Sequence, residues 1–417
     1  MYSSHLHVII LFAIILATAS TQQLASDPSV YGPPIELVHI YNDEFPTGIA
    51  VSSTGRKFSN YPPSLDANNT NYQVAELISY DTEVAYPNVT YNSPPGGFIN
   101  YTSNPPSGAN YPNYLISVSS VVIDGKDRLW ILDNGRALTP TGTLVLASYG
   151  GPKLIGIDLT TNTIFQTIIF STTVAYPDSN LNDVRFDLRP NTSSSTGHGT
   201  AYITDSSTEG RNGLIVVDLG TGTAWRHLDN TAVVRGQTQF FPIIWGEVIY
   251  SITAGGGRLN YGSTASGSDG ITLSADGDTL FWTAVGNTYL YSIPTARLRD
   301  NTEFSEILAQ ASVVSHGQKG TSDGLEVDSN GLVYAGNFGQ NAIEVFNPAN
   351  GSVNIFVRDP RIGWTDSMSV GTDGFLYFTE NQLWRTAIHY PGVDRRVRPF
   401  ALFRVKVPGG GTKALLV

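Results

Sequence analysis

Residues 324–337 read GLEVDSNGLVYAGN, and residues 367–380 read SMSVGTDGFLYFTE. Each is a short alternating strand, a turn built on Asn-Gly or Asp-Gly, and a second apolar strand. Such dipeptides supply the positive φ of a tight hairpin turn, which Gly and Asn adopt at little cost. The pattern recurs as GIAVSSTGRKFSNY from Gly48, SVVIDGKDRLWILD from Ser120 and GITLSADGDTLFWT from Gly270. A sixth copy joins DVRFD from Asp183 to AYITD from Ala201, its turn replaced by the Ser/Thr/Gly-rich insertion Arg189 to Gly199. The first apolar residues of the six copies are Ile49, Val121, Val184, Ile271, Leu325 and Met368, at intervals of 72, 63, 87, 54 and 43 residues.

Most hairpins are followed by another strand pair: KLIGIDLTTNTIFQTIIF from Lys153, GLIVVDLGTGTAWRHL from Gly213 and NAIEVFNPANGSVNIFV from Asn341. Two hairpins make a four-stranded blade, and the shortest interval matches the roughly 40–45 residues of a propeller repeat. The reading is therefore all-β, a six-bladed β-propeller. Longer intervals carry insertions, the largest being Tyr61 to Tyr114 and the Gly-rich segment Gly255 to Gly267. The strands ELVHIY from Glu36 and ALFRVKV from Ala401 are expected to pair and close the ring, which removes an open sheet edge. A single domain spans 35–417, after a flexible segment 20–34. One amphipathic helix, with Phe304, Ile307, Leu308 and Ala311 on a face and Asn301 or Thr302 as N-cap, is expected to pack outside a blade.

Composition supports this. Glycine (42), proline (23) and tyrosine (21) are abundant, and only 14% of residues are charged. That suits short strands and tight turns rather than Lys/Glu-faced helices. A net charge of −11 excludes nucleic acid as the expected partner, because the phosphate backbone would be repelled. The chain has no cysteine, so thiol nucleophiles and thiolate metal sites are excluded. Val8 to Ala19 is apolar or small and ends in Ala17-Thr18-Ala19, which reads as a signal peptide over 1–19 and a secreted protein. No later run has membrane-spanning length. Sequons at Asn68, Asn88, Asn100, Asn191 and Asn350 are glycan acceptors in that setting.

The stretches VVIDGKDRLWILDNG, SDGITLSADGDTLFW, KGTSDGLEVDSNGLVYAGNFGQNAIEVF and DPRIGWTDSMSVGTDGFLYFTENQLWR resemble the major royal jelly protein/yellow family, in order, from about Pro46 to Val407. The resemblance implies a secreted six-bladed propeller. Its insect members look like pigment-pathway proteins, biogenic-amine binders or nutritive secretions. The absence of cysteine sets this chain nearer the microbial branch.

In a hairpin the start of the first strand and the end of the second lie at one edge. If the first strand is innermost, both reach one mouth of the channel. The candidate ligand-binding rim is therefore Asp133, Asn182, Asp205, Asp269, Trp282, Asp323, Asn337, Phe338, Asp366 and Asn381. One alternative is that Asp and Ser before a strand only form Asx- and ST-type turns. Another is a hard-cation site, calcium or another divalent ion on Asp269, Asp323 and Asp366, serving a lactonase-like hydrolase. A third is a pocket for a small aromatic or amine metabolite, with no cofactor required. Any catalysis there would be a tautomerase- or isomerase-like step on a phenolic or quinone ring. A non-catalytic secreted glycoprotein is the remaining class. His316, seven residues before Asp323, reads either as an overhanging acid/base or as a loop histidine. GGGRLNYG from Gly255 reads as a loop or lid, and HExxH, P-loop and Gly-x-Ser-x-Gly patterns are absent.

Overall fold

The hairpins form where the Asp-Gly and Asn-Gly turns place them, and each recruits a second pair. The computed structural model describes residues 29–190, 196–255, 258–262 and 265–417. The leader at 1–19, the first part of the segment 20–34 and the sequon at Asn191 lie outside the described residues. Six four-stranded antiparallel sheets result. Their first strands are Ala50–Val51, Val118–Ile123, Leu181–Asp187, Ser268–Leu273, Leu325–Val327 and Thr365–Val370. These touch one another in sequence order and the sixth touches the first, so they form the innermost ring. The protein is a six-bladed β-propeller.

Closure follows the expected route. Glu36–Tyr41 adds to Phe400–Lys406 as the outermost strand of blade 6, with Glu36 opposite Arg404 and Tyr41 opposite Phe400. One apolar cluster fills each junction between blades. Trp130 of blade 2 stacks on Phe186 of blade 3 at 4.9 Å, and Trp282 and Tyr291 of blade 4 pack against Leu214 and Val216 of blade 3. Each such side chain contributes about 1.5–3 kcal/mol on leaving water.

Three expectations are corrected. Half of the supposed insertion after Tyr61 is blade 1 itself, since Val74–Leu77 and Glu83–Ala85 are its outer strands. The GGGRLNYG segment contributes a strand, Arg258–Gly262, paired with Ser251–Gly255 rather than a bare loop. The helix, Ser305–Ala311, turns Phe304, Ile307 and Leu308 to solvent and buries Ser305 and Ala309. Its small residues allow close approach. Glu306 then reaches inward to His227 Nδ1 at 2.9 Å and to the backbone N–H of Leu228 at 3.0 Å.

The far end of the channel is closed by the C-terminal tail. Leu188 N–H donates to Leu416 O at 3.0 Å and Ser329 N–H to Thr412 O at 2.7 Å. Lys413 and Leu416 line the small chamber beneath, together with Asp183, Arg185 and Glu326.

Candidate functional site

Strand alternation and a repeated bulge decide which side chains reach the channel. In blades 2, 3, 4 and 6 the innermost hairpin slips register at its mouth end, between Val118 and Ser120, Leu181 and Val184, Ser268 and Ile271, and Thr365 and Met368. Bulges of this kind re-aim side chains. The residue two positions before each copy's first apolar residue is Thr47, Ser119, Asn182, Asp269, Asp323 and Asp366 in turn. All six line one cavity of about 160 Å³. Three neutral groups from blades 1–3 thus face three carboxyl groups from blades 4–6.

The intervening position faces a neighbouring blade instead. There an added Cβ at Gly270 would collide with the carbonyl of Asp323, and one at Gly324 with the carbonyl of Asp366. Asp183, also at this position, accepts from Ser120 Oγ and Arg185 NH1, each at 2.8 Å, and lines the opposite chamber.

The acidic arc is buried and bonded. Asn182 Nδ2 donates to Asp269 Oδ2 at 2.7 Å, Trp364 Nε1 to Asp323 Oδ2 at 2.6 Å, and Asn381 Nδ2 to Asp366 Oδ2 at 2.6 Å. Asp269 and Asp323 share a hydrogen bond. Burial pushes Asp323 up to about 6. Burial first, and the Asp323 charge second, hold Asp269 and Asp366 well above the ordinary carboxylate range. The pair is a protonated Asp269 donating to Asp323, since two adjacent buried carboxylates cannot both ionise cheaply.

Above the ring the wall turns apolar. Trp364, Leu65, Val285, Leu383 and Ile388 line it, with His389, Asn134, Asn180 and Ser206 supplying polar points. Phe338 stacks behind Trp364 at 4.5 Å. Two insertions form this roof, held by Ile252 N–H to Ile388 O at 2.9 Å and Tyr390 N–H to Tyr250 O at 3.0 Å.

The structure brings Asn182, Asp269, Asp323 and Asp366 to the cavity and sets Asn381 directly behind Asp366. It does not bring the others. Asp133 accepts from the N–H groups of Ile116, Ser117 and Gly135 and from Lys153 Nζ. Asp205 likewise holds Ser179, Asn180 and Arg226. Asn337 bonds Glu344 at 2.9 Å. Trp282 is fully buried between blades, donating to Val233 O, and Phe338 is buried behind Trp364. Asp133, Asp205 and Asn337 end the second strands, Phe338 immediately follows one and Trp282 lies within one, a strand spacing (about 4.8 Å) farther from the axis. At that radius, alternation sends Asp133 and Asp205 to the loops while Asn134 and Ser206, the next residues, face the cavity. His316 lies on the outermost strand of blade 4, bonded to Ser292 Oγ at 2.8 Å, away from the mouth. Trp364 and His389 were missed. Trp364 stands two residues before Asp366, and the only signal was its place ahead of a ring position.

Among the described residues no three His, Asp or Glu side chains are placed to hold one ion. Each acid of the arc already has an oxygen committed to an N–H donor.

A family model described as major royal jelly protein matches residues 116–399. The chain belongs to the major royal jelly protein family. A comparison with curated proteins returns no match. Among solved structures, this family member is similar to a luciferin-regenerating enzyme at 10% identity and TM-score 0.51, covering 92% of this chain and 98% of that one. It is also similar to a calcium-binding regucalcin from Agrobacterium tumefaciens, at 12% identity and TM-score 0.48, covering 90% and 94%. A gluconolactonase from Xanthomonas campestris matches at 11% identity and TM-score 0.43, covering 91% and 97%. At these identities the likeness concerns the fold alone.

The raised carboxyls make stability depend on pH. Glu380, buried behind the ring and accepting from Gly363 N–H and Thr365 Oγ1, is pushed up to about 8 by burial. A folded-state value above the unfolded one means stability is full below the unfolded value and is lost as pH rises towards the folded one. Glu44 and Glu344, each raised to about 7, act in the same direction. His389, pushed down to about 4 by burial, acts oppositely, but only below its unfolded value near 6.5. Denaturant melts should therefore show stability falling between pH 6.5 and 8, by about 2 kcal/mol from Glu380 alone. Glu380→Gln should flatten the slope; an unchanged slope would remove this assignment.

Proposed function

We propose that this protein is a small-molecule-binding propeller whose ligand is a single-ring aromatic metabolite with an amine or other polar end. The observation that carries the reading is the split lining of one cavity, with Asp269, Asp323 and Asp366 on its floor and Trp364, Leu383 and Ile388 above. A cavity of about this size accommodates a benzene-sized ring. Among the described residues that line it there is no lysine or arginine, so none of these competes for a cationic guest. An ammonium group pairs with an ionised carboxylate, and Asp323, raised to about 6, supplies one as pH rises through that value. The acid of the Asp269–Asp323 pair would equally serve a tautomerase- or isomerase-like step on a phenolic or quinone ring.

Thermal-shift titration with single-ring amines, indoleamines and phenols tests the reading. Single-ring amines should stabilise the protein, with affinity rising between pH 6 and pH 8. No stabilisation by any of the panel would sink it. A divalent cation on Asp269, Asp323 and Asp366, with lactone hydrolysis as its chemistry, is the competing reading, favoured by three carboxyls on one cavity. Calcium should leave the melting temperature unchanged if the organic reading holds. Secretion belongs to the proposal as well. Asn68, Asn88 and Asn350 are exposed, and a mass loss on glycosidase treatment of the secreted protein would support their use.

A further inference from the structure

A second concave site lies on the outer flank of the propeller and shares no lining residue with the channel cavity. It is a groove between the outermost strand of blade 3, Ala224–His227, with the turn before it, and the short helix Thr295–Arg299 with residues 300–302. The groove measures about 580 Å³, a volume typical of small-ligand sites. Trp225 is the one aromatic residue among its described lining residues. It is half-buried, and its Nε1 donates to Leu298 O at 2.9 Å, which fixes the indole across the gap between strand and helix. Arg299, 8% exposed, also lines the groove. Its guanidinium donates to Tyr202 Oη at 3.0 Å and stands 3.7 Å from Asp187, while Nε has no partner. A guanidinium can donate from every nitrogen, so donors remain for a ligand. The carboxylates are held by one oxygen each. Asp218 Oδ1 accepts from Gly220 N–H at 2.8 Å, and Asp300 Oδ1 accepts from Thr302 N–H at 3.0 Å and Thr302 Oγ1 at 2.8 Å. Both keep Oδ2 as a positioned acceptor.

Charge and composition choose the ligand class. Arg299 is already paired with Asp187, and Asp218 and Asp300 add negative charge, so phosphate or sulfate would be repelled. Trp225 and Ala296 are the only apolar side chains among the described lining residues, too few for an apolar guest. A neutral sugar meets neither objection. Its C–H face covers an indole, and its hydroxyls donate to carboxylates and accept from a guanidinium. We propose that this groove is a saccharide-binding site, with Trp225 as the platform for one pyranose ring and Asp218, Arg299 and Asp300 as its hydroxyl partners. The site acts independently of whatever the channel holds.

Saturation-transfer NMR on the full chain, with the methyl glycosides of glucose, galactose, mannose and N-acetylglucosamine, tests this. At least one glycoside should receive transfer, strongest at the protons of one ring face. Trp225→Ala should weaken its binding about tenfold, as loss of an aromatic platform allows. Trp225 also packs against the core between blades 3 and 4, so Asp300→Asn is the second variant. It keeps the Oδ1 acceptor for Thr302, should melt as the wild type does, and should weaken the glycoside about threefold. No transfer to any of the four glycosides, transfer undiminished in the variants that fold, or binding of inorganic phosphate in their place would overturn the assignment.

Discussion

Replacing Gly270 with alanine is expected to cost about 4 kcal/mol or more, a large part of the stability of a typical domain. Gly270 follows Asp269 on the innermost strand of blade 4, where the neighbouring strand of blade 5 passes so close that a methyl group would overlap the Asp323 carbonyl. That carbonyl belongs to backbone fixed on both sides by the ring. Gly324–Asp366 repeats the contact one blade further on, since Gly324 N–H donates to Asp366 O at 2.8 Å. The collision therefore cannot relax by moving one side chain. Ser367→Ala at the equivalent position of blade 6 is the control and should change stability by less than about 1 kcal/mol. Urea unfolding measures both. A Gly270→Ala protein as stable as its Ser367→Ala counterpart would mean that the innermost strands are not packed this tightly.

Asp133→Ala should cost about 3–5 kcal/mol. Asp133 and Lys153 form a salt bridge of 2.8 Å with both side chains fully buried, and the same carboxylate accepts from three backbone N–H groups. Removing it strands a buried ammonium and leaves those donors unpaired, each a cost that nothing nearby can offset. Burial already pulls Lys153 below the usual lysine range, and without the opposing Asp133 charge the stranded amine is expected to lose its proton more readily still. The double variant Asp133→Ala/Lys153→Met should recover part of the loss, because no charge remains. Ligand affinity of the folded fraction should be unchanged, as Asp133 does not line the cavity. Lost affinity at full stability would reverse the assignment of Asp133 from bracket to ligand.

The fold was legible because its signals are local. Each hairpin announces itself independently, four of the six by an Asp-Gly or Asn-Gly turn, and six hairpins in order leave few architectures. The closing strands were legible because the first and last apolar segments lacked partners of their own. The site was legible in half. Asp269, Asp323 and Asp366 could be found because they stand two residues ahead of the first apolar residue of an innermost strand, whose position follows from the repeat. Asp133, Asp205, Trp282, Asn337 and Phe338 were drawn in by the same edge argument, which ignores radius and alternation. A one-residue offset turns Asp133 to the loop and Asn134 to the cavity, and spacing along the chain does not report which. Counting back a fixed two residues from Ile49, Val121, Val184, Ile271, Leu325 and Met368 would have given the whole ring, including Thr47 and Ser119. His389 and the roof were not legible, since two insertions distant in sequence build them and neither carries a repeat.

The central claim is that the ring of six positions and the roof of Trp364 and His389 form one organic ligand site. A crystal structure grown with tyramine tests it most directly. The account predicts ligand density in this cavity, with the ring beside Trp364 and Ile388 and the amine on the Asp269–Asp323 pair. A cavity without ligand while tyramine lies elsewhere, or a metal ion held jointly by Asp269, Asp323 and Asp366, would contradict it.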